Sequence, residues 1–189
     1  AKCYDKIGNY DKAFTYFLKA NYLFPQQEKI RKFDKNRFLN EIKIRSSFFS
    51  PSNIDKWPTF KSSDSRPDPI FLIGFPRSGT TLLNVILDSH PMIEVIEEKN
   101  SVEQLVNSLN KSSNGVFEGL KNIKNSELVK AQNAYFDSLE TIVQSKNSAK
   151  VYIDKLPLNI IYVGEILRIF PNSKFILSLR HPCDCVLSC

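Results

Sequence analysis

The stretch that most constrains this chain is "PIFLIGFPRSGTTLLNVILDSH", residues 69–90. It opens with a short apolar run ending at Gly74. Such a run, with no polar alternation, reads as a strand of a parallel sheet, buried on both faces. Gly79 lies five residues beyond Gly74, and Leu83, Ile86, Leu87 and His90 then recur at helical spacing. A strand, a glycine turn and a helix in succession let backbone N–H groups of the turn point at an anion. The helix adds the partial positive charge of its N-terminus. Ser78, Thr80 and Thr81 offer hydroxyl donors, and Arg77 offers a planar cationic fork suited to a tetrahedral oxyanion. The loop is therefore expected to hold a phosphate or a sulfate.

The rest of the chain extends that unit. "KVYIDKLP" and "SKFILSLR" read as further strands, separated by the amphipathic helix "NIIYVGEILRIFP", which closes at Pro171. Pro182 suits the first position of another helix. Residues 100–150 read as helical and polar, with Asn/Ser-rich breaks such as "NKSSNG". Strands alternating with helices predict an α/β fold, a P-loop-like parallel sheet with flanking helices. Ligands of such sheets bind at the carboxyl ends of the strands, where Arg77, Lys155 and Arg180 all fall.

In front of it, Gly8 separates two helical patterns, and Ala13, Phe17 and Ala20 share one face of the second. Asp11 is the expected cap and Pro25 follows the end. A further helix is expected near residues 34–49, docked through Phe38, Ile42, Phe48 and Phe49. The turn-rich "SSDSRPDP" places a boundary, giving a helical segment with linker at 1–66 and the α/β domain at 67–189. The first segment resembles the second half of a tetratricopeptide repeat, with Gly8, Tyr10, Ala13, Phe17, Ala20 and Pro25 at matching positions. An unrelated helical hairpin is the alternative. Since such repeats stabilise one another, the resemblance implies earlier repeats before Ala1 and a protein partner bound through them.

Composition narrows the partners. The formal charge is +6 with a pI of about 9.1, but no basic face with interleaved aromatics stands out, so nucleic acid is not expected. The four cysteines, Cys3, Cys183, Cys185 and Cys189, lack the paired spacing of a zinc site. Free thiols in a reducing, cytoplasmic compartment are expected, and no metal. No run of about 18 apolar residues is present, so no membrane span is expected. The first residues lack the apolar segment of a signal peptide, and without an initiator Met the chain reads as a fragment.

Two readings of the loop compete. A Walker loop places Lys after its second glycine, where Thr80 stands here. A Walker-B Asp is also missing from the strand ends. "FILSLR" ends instead in Arg180, which repels a metal and attracts a second anion. These residues favour a ligand with two separated anionic ends. A P-loop nucleotide kinase or NTPase remains the alternative, as does a repeat-based interaction protein without catalysis. From the residues alone, Glu97–Glu98 is also readable as a solvated acidic turn, and Lys155 as a surface lysine beside Asp154. His90, before Pro91, reads as a packing or capping residue.

"FPRSGTTLL", the Glu97–Glu98 pair, "DKLPLN" and "LSLRHPCDCVLS" together resemble the sulfotransferases that use 3′-phosphoadenosine 5′-phosphosulfate (PAPS). The branch is similar to the tyrosylprotein sulfotransferases, including bacterial members with N-terminal tetratricopeptide repeats. The resemblance implies that Arg77, Ser78, Gly79, Thr80 and Thr81 hold the 5′-phosphosulfate. It implies that Arg180, at a strand end, and Ser188, about two turns along the helix that starts beside it, hold the 3′-phosphate. PAPS and an acceptor hydroxyl would be the partners, 3′,5′-ADP the product, and fixed cations would stand in for a metal. Glu98 takes the place of the general base, its proton affinity raised by Glu97 through like-charge coupling. Lys155 stabilises the bridging oxygen or protonates the leaving group, and Arg77 shares the leaving-group charge. The acceptor hydroxyl is on tyrosine, a glycan or a small molecule. His181 stands where relatives carry an acidic residue. Family domains continue past the 3′-phosphate segment, so residues 67–189 are expected to be incomplete at the C-terminal side.

Overall fold

The computed structural model describes residues 1–26, 34–55, 57, 58, 60, 62, 64–112, 117–143 and 151–188. Cys189 and part of the "NKSSNG" break lie outside the described residues. The chain divides into two compact units, Ala1–Ile44 and Arg45–Cys189.

In the first unit, α1 (Lys2–Lys6) and α2 (Tyr10–Leu23) are joined at Gly8, whose φ of 74° reverses the chain. Asn9 rather than Asp11 caps α2, its side-chain oxygen accepting from the Lys12 backbone N–H at 3.3 Å. Asp11 falls inside the first turn, where its charge complements the helix dipole instead. Tyr4 and Tyr16 stack at 5.4 Å across the pair. Of the expected inward face, Ala13 is buried, whereas Phe17 is 40% exposed and Ala20 is exposed too. Helix α3 (Lys35–Phe48) begins in this unit. Among the described residues, no helix is long and apolar enough to cross a membrane.

The second unit follows with α4 (Pro51–Ile54) and then the α/β alternation. Its elements are β1 (Ile70–Gly74), α5 (Thr80–Asp88), β2 (Ile93–Glu97), α6 (Ser101–Ser112), α7 (Asn125–Val143), β3 (Val151–Lys155), α8 (Val163–Ile169), β4 (Lys174–Ser178) and α9 (Pro182–Leu187). The sheet order is β2-β3-β1-β4, and every neighbouring pair is parallel. β1 runs centrally and its last four residues are buried, as its unbroken apolar pattern requires.

Strand β2 went unread in the sequence. "IEVIE" sets three apolar residues among two glutamates without clean alternation, too short a pattern to stand out beside the Glu97–Glu98 turn. The expected helix "NIIYVGEILRIFP" resolves into a 3₁₀ turn, Pro157–Tyr162, and the short α8. Gly164 sits near their junction because a Cβ there would clash with the Phe49 ring. On helix α5 the inward residues are Thr80, Leu83, Asn84 and Leu87, while Ile86 and His90 are exposed, contrary to the expected face.

The segment before the sheet packs as part of it. Arg45 and Glu165 form a buried ion pair at 3.0 Å. The Arg45 guanidinium lies 4.8 Å from the Tyr162 ring and 5.1 Å from Phe117. Phe48, Phe49, Trp57 and Phe117 form an aromatic cluster around it. The boundary expected at residues 62–69 therefore falls inside the second compact unit.

The topology also places a crevice in the sheet. After β1 the chain crosses to β2 on one side of the sheet; after β3 it crosses to β4 on the other. The carboxyl ends of β1 and β3 thus flank a topological switch point, the crevice in which open parallel sheets bind ligands.

Candidate functional site

The loop after β1 is tightly closed. A Cβ on Gly74 would lie 2.7 Å from both the Ser178 carbonyl and the Ser78 Oγ, so only glycine fits between β4 and the turn. Gly79 takes φ 98° and forms the N-cap of α5. The Ser178 hydroxyl donates to the Ser78 carbonyl at 2.8 Å and ties the loop to the end of β4. Ser78 and Thr80 are buried, whereas Arg77, Gly79 and Thr81 are exposed. The Ser78 Oγ is buried and has no hydrogen-bond partner among the described residues. Such an orphaned buried hydroxyl is a donor left unused by the described residues.

The two arginines meet across the sheet. Arg180 donates through Nη1 to the Arg77 carbonyl at 3.1 Å, bridging 103 residues of sequence. Arg77 in turn donates through Nε to the Ser188 carbonyl at 3.0 Å. Arg77, Arg180 and Ser188 are therefore brought together. The Ser188 hydroxyl, however, donates to the Cys185 carbonyl at 3.1 Å and closes the end of α9 rather than turning towards Arg180. His181 is the N-cap of α9, its Nδ1 accepting from the Cys183 N–H at 3.3 Å. His90 accepts from the Met92 N–H at 3.2 Å, a turn-closing role.

At the end of β3, Lys155 is no surface lysine: its side chain is 0% exposed. Its Nζ donates to Glu97 and to Glu98, each at 2.8 Å. β2 and β3 end in register, Glu97 beside Lys155, and the Glu98 N–H donates to the Lys155 carbonyl at 2.7 Å. Burial pushes the Lys155 pKa down, but the hydrogen bonds and charges of Glu97 and Glu98 outweigh it and raise the group above its usual value. The Lys155 hydrogen bond and charge hold Glu97 below the usual carboxylate range, with a smaller contribution from an Asn84 hydrogen bond. The two carboxylates thus share one buried cation, which donates to both.

Arg77 and Glu98 share one further property. Among the described residues they are the non-glycine positions with positive φ, 68° and 50°. Such a conformation costs about 1–3 kcal/mol and persists where the surroundings over-determine it, as at functional sites. Asn84 and Ser178 went unread as site residues. Asn84 had a legible signal, a polar residue one turn from Thr80 on the inward side of an apolar helix. Ser178 had none, because its role depends on the β1–β4 register that sets it opposite Gly74.

A parallel sheet with a closed, glycine-bounded loop at its switch point and arginines beside it defines an α/β domain. The chain belongs to the sulfotransferase family, whose profile matches residues 69–189, starting at the turn-rich linker. An uncharacterized protein of Aquifex aeolicus is 33% identical over 193 residues, covering 99% of this chain and 24% of that protein. Protein-tyrosine sulfotransferase 1 of Mus musculus is 32% identical over 115 residues, covering 59% of this chain and 30% of that protein. The chain thus spans between about a quarter and a third of the length of these relatives. The crystal structure of sulfotransferase STF9 from Mycobacterium avium aligns with 76% of this chain and 50% of its own at 14% identity. Its TM-score of 0.35 is too low to argue from.

Proposed function

We propose that this chain carries the donor site of a PAPS-dependent sulfotransferase acting on an acceptor hydroxyl. The observation that carries the reading is the orphaned Ser78 hydroxyl, set in a loop flanked by Arg77, Arg180 and Lys155, in a member of the sulfotransferase family. The residues fit the donor: Arg77, Ser78, Gly79, Thr80 and Thr81 would hold its 5′-phosphosulfate, and Arg180 with Ser188 its 3′-phosphate. Bound there, PAPS supplies the sulfuryl group, and 3′,5′-ADP remains. A nucleotide-kinase reading has no comparable support, since no lysine follows Gly79.

In this reading Glu98 takes the proton of the acceptor hydroxyl as the new O–S bond forms. Lys155 has a raised proton affinity, so it remains an ammonium and stabilises the bridging oxygen by hydrogen bond and charge as the old S–O bond breaks. Arg77 shares the charge left on the phosphate. Fixed guanidinium and ammonium groups take the place of a metal. The related protein-tyrosine sulfotransferases make a tyrosine hydroxyl the first acceptor to test. The helical pair at the N-terminus would be the second half of a tetratricopeptide repeat and offer a surface to a protein partner. The free thiols Cys3 and Cys183 support a cytoplasmic setting.

The test uses the full-length protein with labelled PAPS and a library of tyrosine peptides. Label on tyrosine, lost in Glu98→Gln and Lys155→Met, is expected. If no hydroxyl acceptor is labelled while 3′,5′-ADP still binds, the transferase reading fails and a binding role remains.

A further inference from the structure

Strand β4 ends at Ser178, which the parallel register sets opposite Gly74. From this end two side chains reach the loop after β1. The Ser178 hydroxyl donates to the Ser78 carbonyl at 2.8 Å, and Arg180 donates to the Arg77 carbonyl at 3.1 Å. A trans peptide is planar, so its N–H points opposite to its C=O. The Ser78 N–H, opposite the Arg77 carbonyl, is spent inside the turn, where it donates to the Phe75 carbonyl at 3.1 Å. The Gly79 N–H, opposite the Ser78 carbonyl, points away from the end of β4. It has no hydrogen-bond partner among the described residues, and Gly79 is exposed.

We propose that Ser178 is a positioning residue of this loop: its hydroxyl fixes the Ser78–Gly79 peptide so that the Gly79 N–H faces the 5′-phosphosulfate of the donor. The inference rests on the donor-site reading above. The need for a tether lies in the sequence. Turning a peptide plane over changes ψ of the residue before it and φ of the residue after it. Gly79, without a Cβ, accepts φ of either sign, so its own backbone does not choose between the two faces of that peptide. Ser178 makes the choice. With the Ser78 carbonyl drawn to β4, the loop offers an N–H dipole to an anion. With the plane turned over, it would offer a carbonyl oxygen, which repels one. A short side chain suffices for this, because strand end and loop are in contact: a Cβ on Gly74 would lie 2.7 Å from the Ser178 carbonyl. Ser178 acts through Gly79 and touches no reacting atom.

Calorimetric titration of the full-length protein with 3′,5′-ADP, whose 5′-phosphate would occupy the loop, tests it beside Ser178→Ala. The variant should bind about tenfold more weakly, the worth of one hydrogen bond to a charged group. Labelling with ¹³C-carbonyl serine and ¹⁵N-glycine marks the Ser78–Gly79 amide, the one Ser-Gly pair in residues 1–189. At saturating 3′,5′-ADP its proton resonance should move downfield in the wild type and less so in Ser178→Ala. A general loss of stability would not produce that difference. Equal affinities, or an equal shift at saturation, would overturn the inference and leave the donor-site reading intact. Absence of 3′,5′-ADP binding to the wild-type protein would reject the donor-site reading and the inference with it. Should Ser178→Ala not fold, Ser178→Cys, of similar shape and a weaker donor, is read in the same way.

Discussion

Lys155 and Arg77 sit at the ends of neighbouring strands, yet the chain holds them in opposite ways. Lys155 is wholly buried and neutralised by two carboxylates at 2.8 Å. Arg77 is exposed; its bonds run to a backbone carbonyl of α9 and from Arg180 to its own carbonyl, and no carboxylate partner appears among the described residues. A buried cation with full partners is fixed in place and in charge. An exposed guanidinium bonded through a single nitrogen keeps donors for an incoming anion. In the proposed reading the difference separates two tasks: the Lys155 triad would keep a positive charge and a base at fixed positions, and the arginine pair would receive the ligand.

Substitutions can break this comparison on either side. Lys155→Met should lower sulfuryl transfer by roughly 10²–10⁴-fold while 3′,5′-ADP binding changes little, because the triad acts on the reacting atoms. A large loss of 3′,5′-ADP affinity in that variant would merge the two tasks. Glu165→Ala strands the buried Arg45 and should cost about 3 kcal/mol in denaturant unfolding. The same variant should leave the 3′,5′-ADP affinity unchanged, since the pair supports the fold away from the loop. Arg77→Ala and Arg180→Ala should each weaken 3′,5′-ADP by about 10- to 100-fold, the worth of a charge-assisted hydrogen bond, with unfolding midpoints unaltered.

Two smaller effects sharpen the account. Asp154 rises from an ordinary 3.8 to about 7 on folding, so over that range the folded chain binds a proton that the unfolded chain releases. Its contribution to stability is present below about 4, is lost as pH rises towards about 7, and is flat beyond. Asp154→Asn should flatten that pH dependence in thermal unfolding. Gly79→Ala, at φ 98°, should cost about 1 kcal/mol.

Legibility followed the range of the interactions. The anion loop could be read because strand, turn and helix are contiguous and Gly74 and Gly79 punctuate them. Lys155 could be read as a strand-end cation, but not as a buried one; its burial needs β2, whose five residues carry too little apolar pattern to register. The joint role of Arg77 and Arg180 was visible as two separate cations, while their backbone contact depends on β1 pairing with β4. Arg45 was invisible as part of the α/β unit, because its partner Glu165 lies 120 residues away. The cap of α2 moved from Asp11 to Asn9 because both residue types cap well and the exact turn at Gly8 decides between them.

In the proposed reading, fixed cations rather than a divalent metal cradle a ligand carrying two separated anionic ends. Calorimetric titration of the full-length protein with 3′,5′-ADP in the presence of EDTA tests it most directly, beside Arg77→Ala and Arg180→Ala. Saturable binding to the wild-type protein is expected, weakened at least tenfold in each variant. No binding of 3′,5′-ADP, with Mg²⁺-dependent ATP binding that 3′,5′-ADP fails to displace, would contradict it.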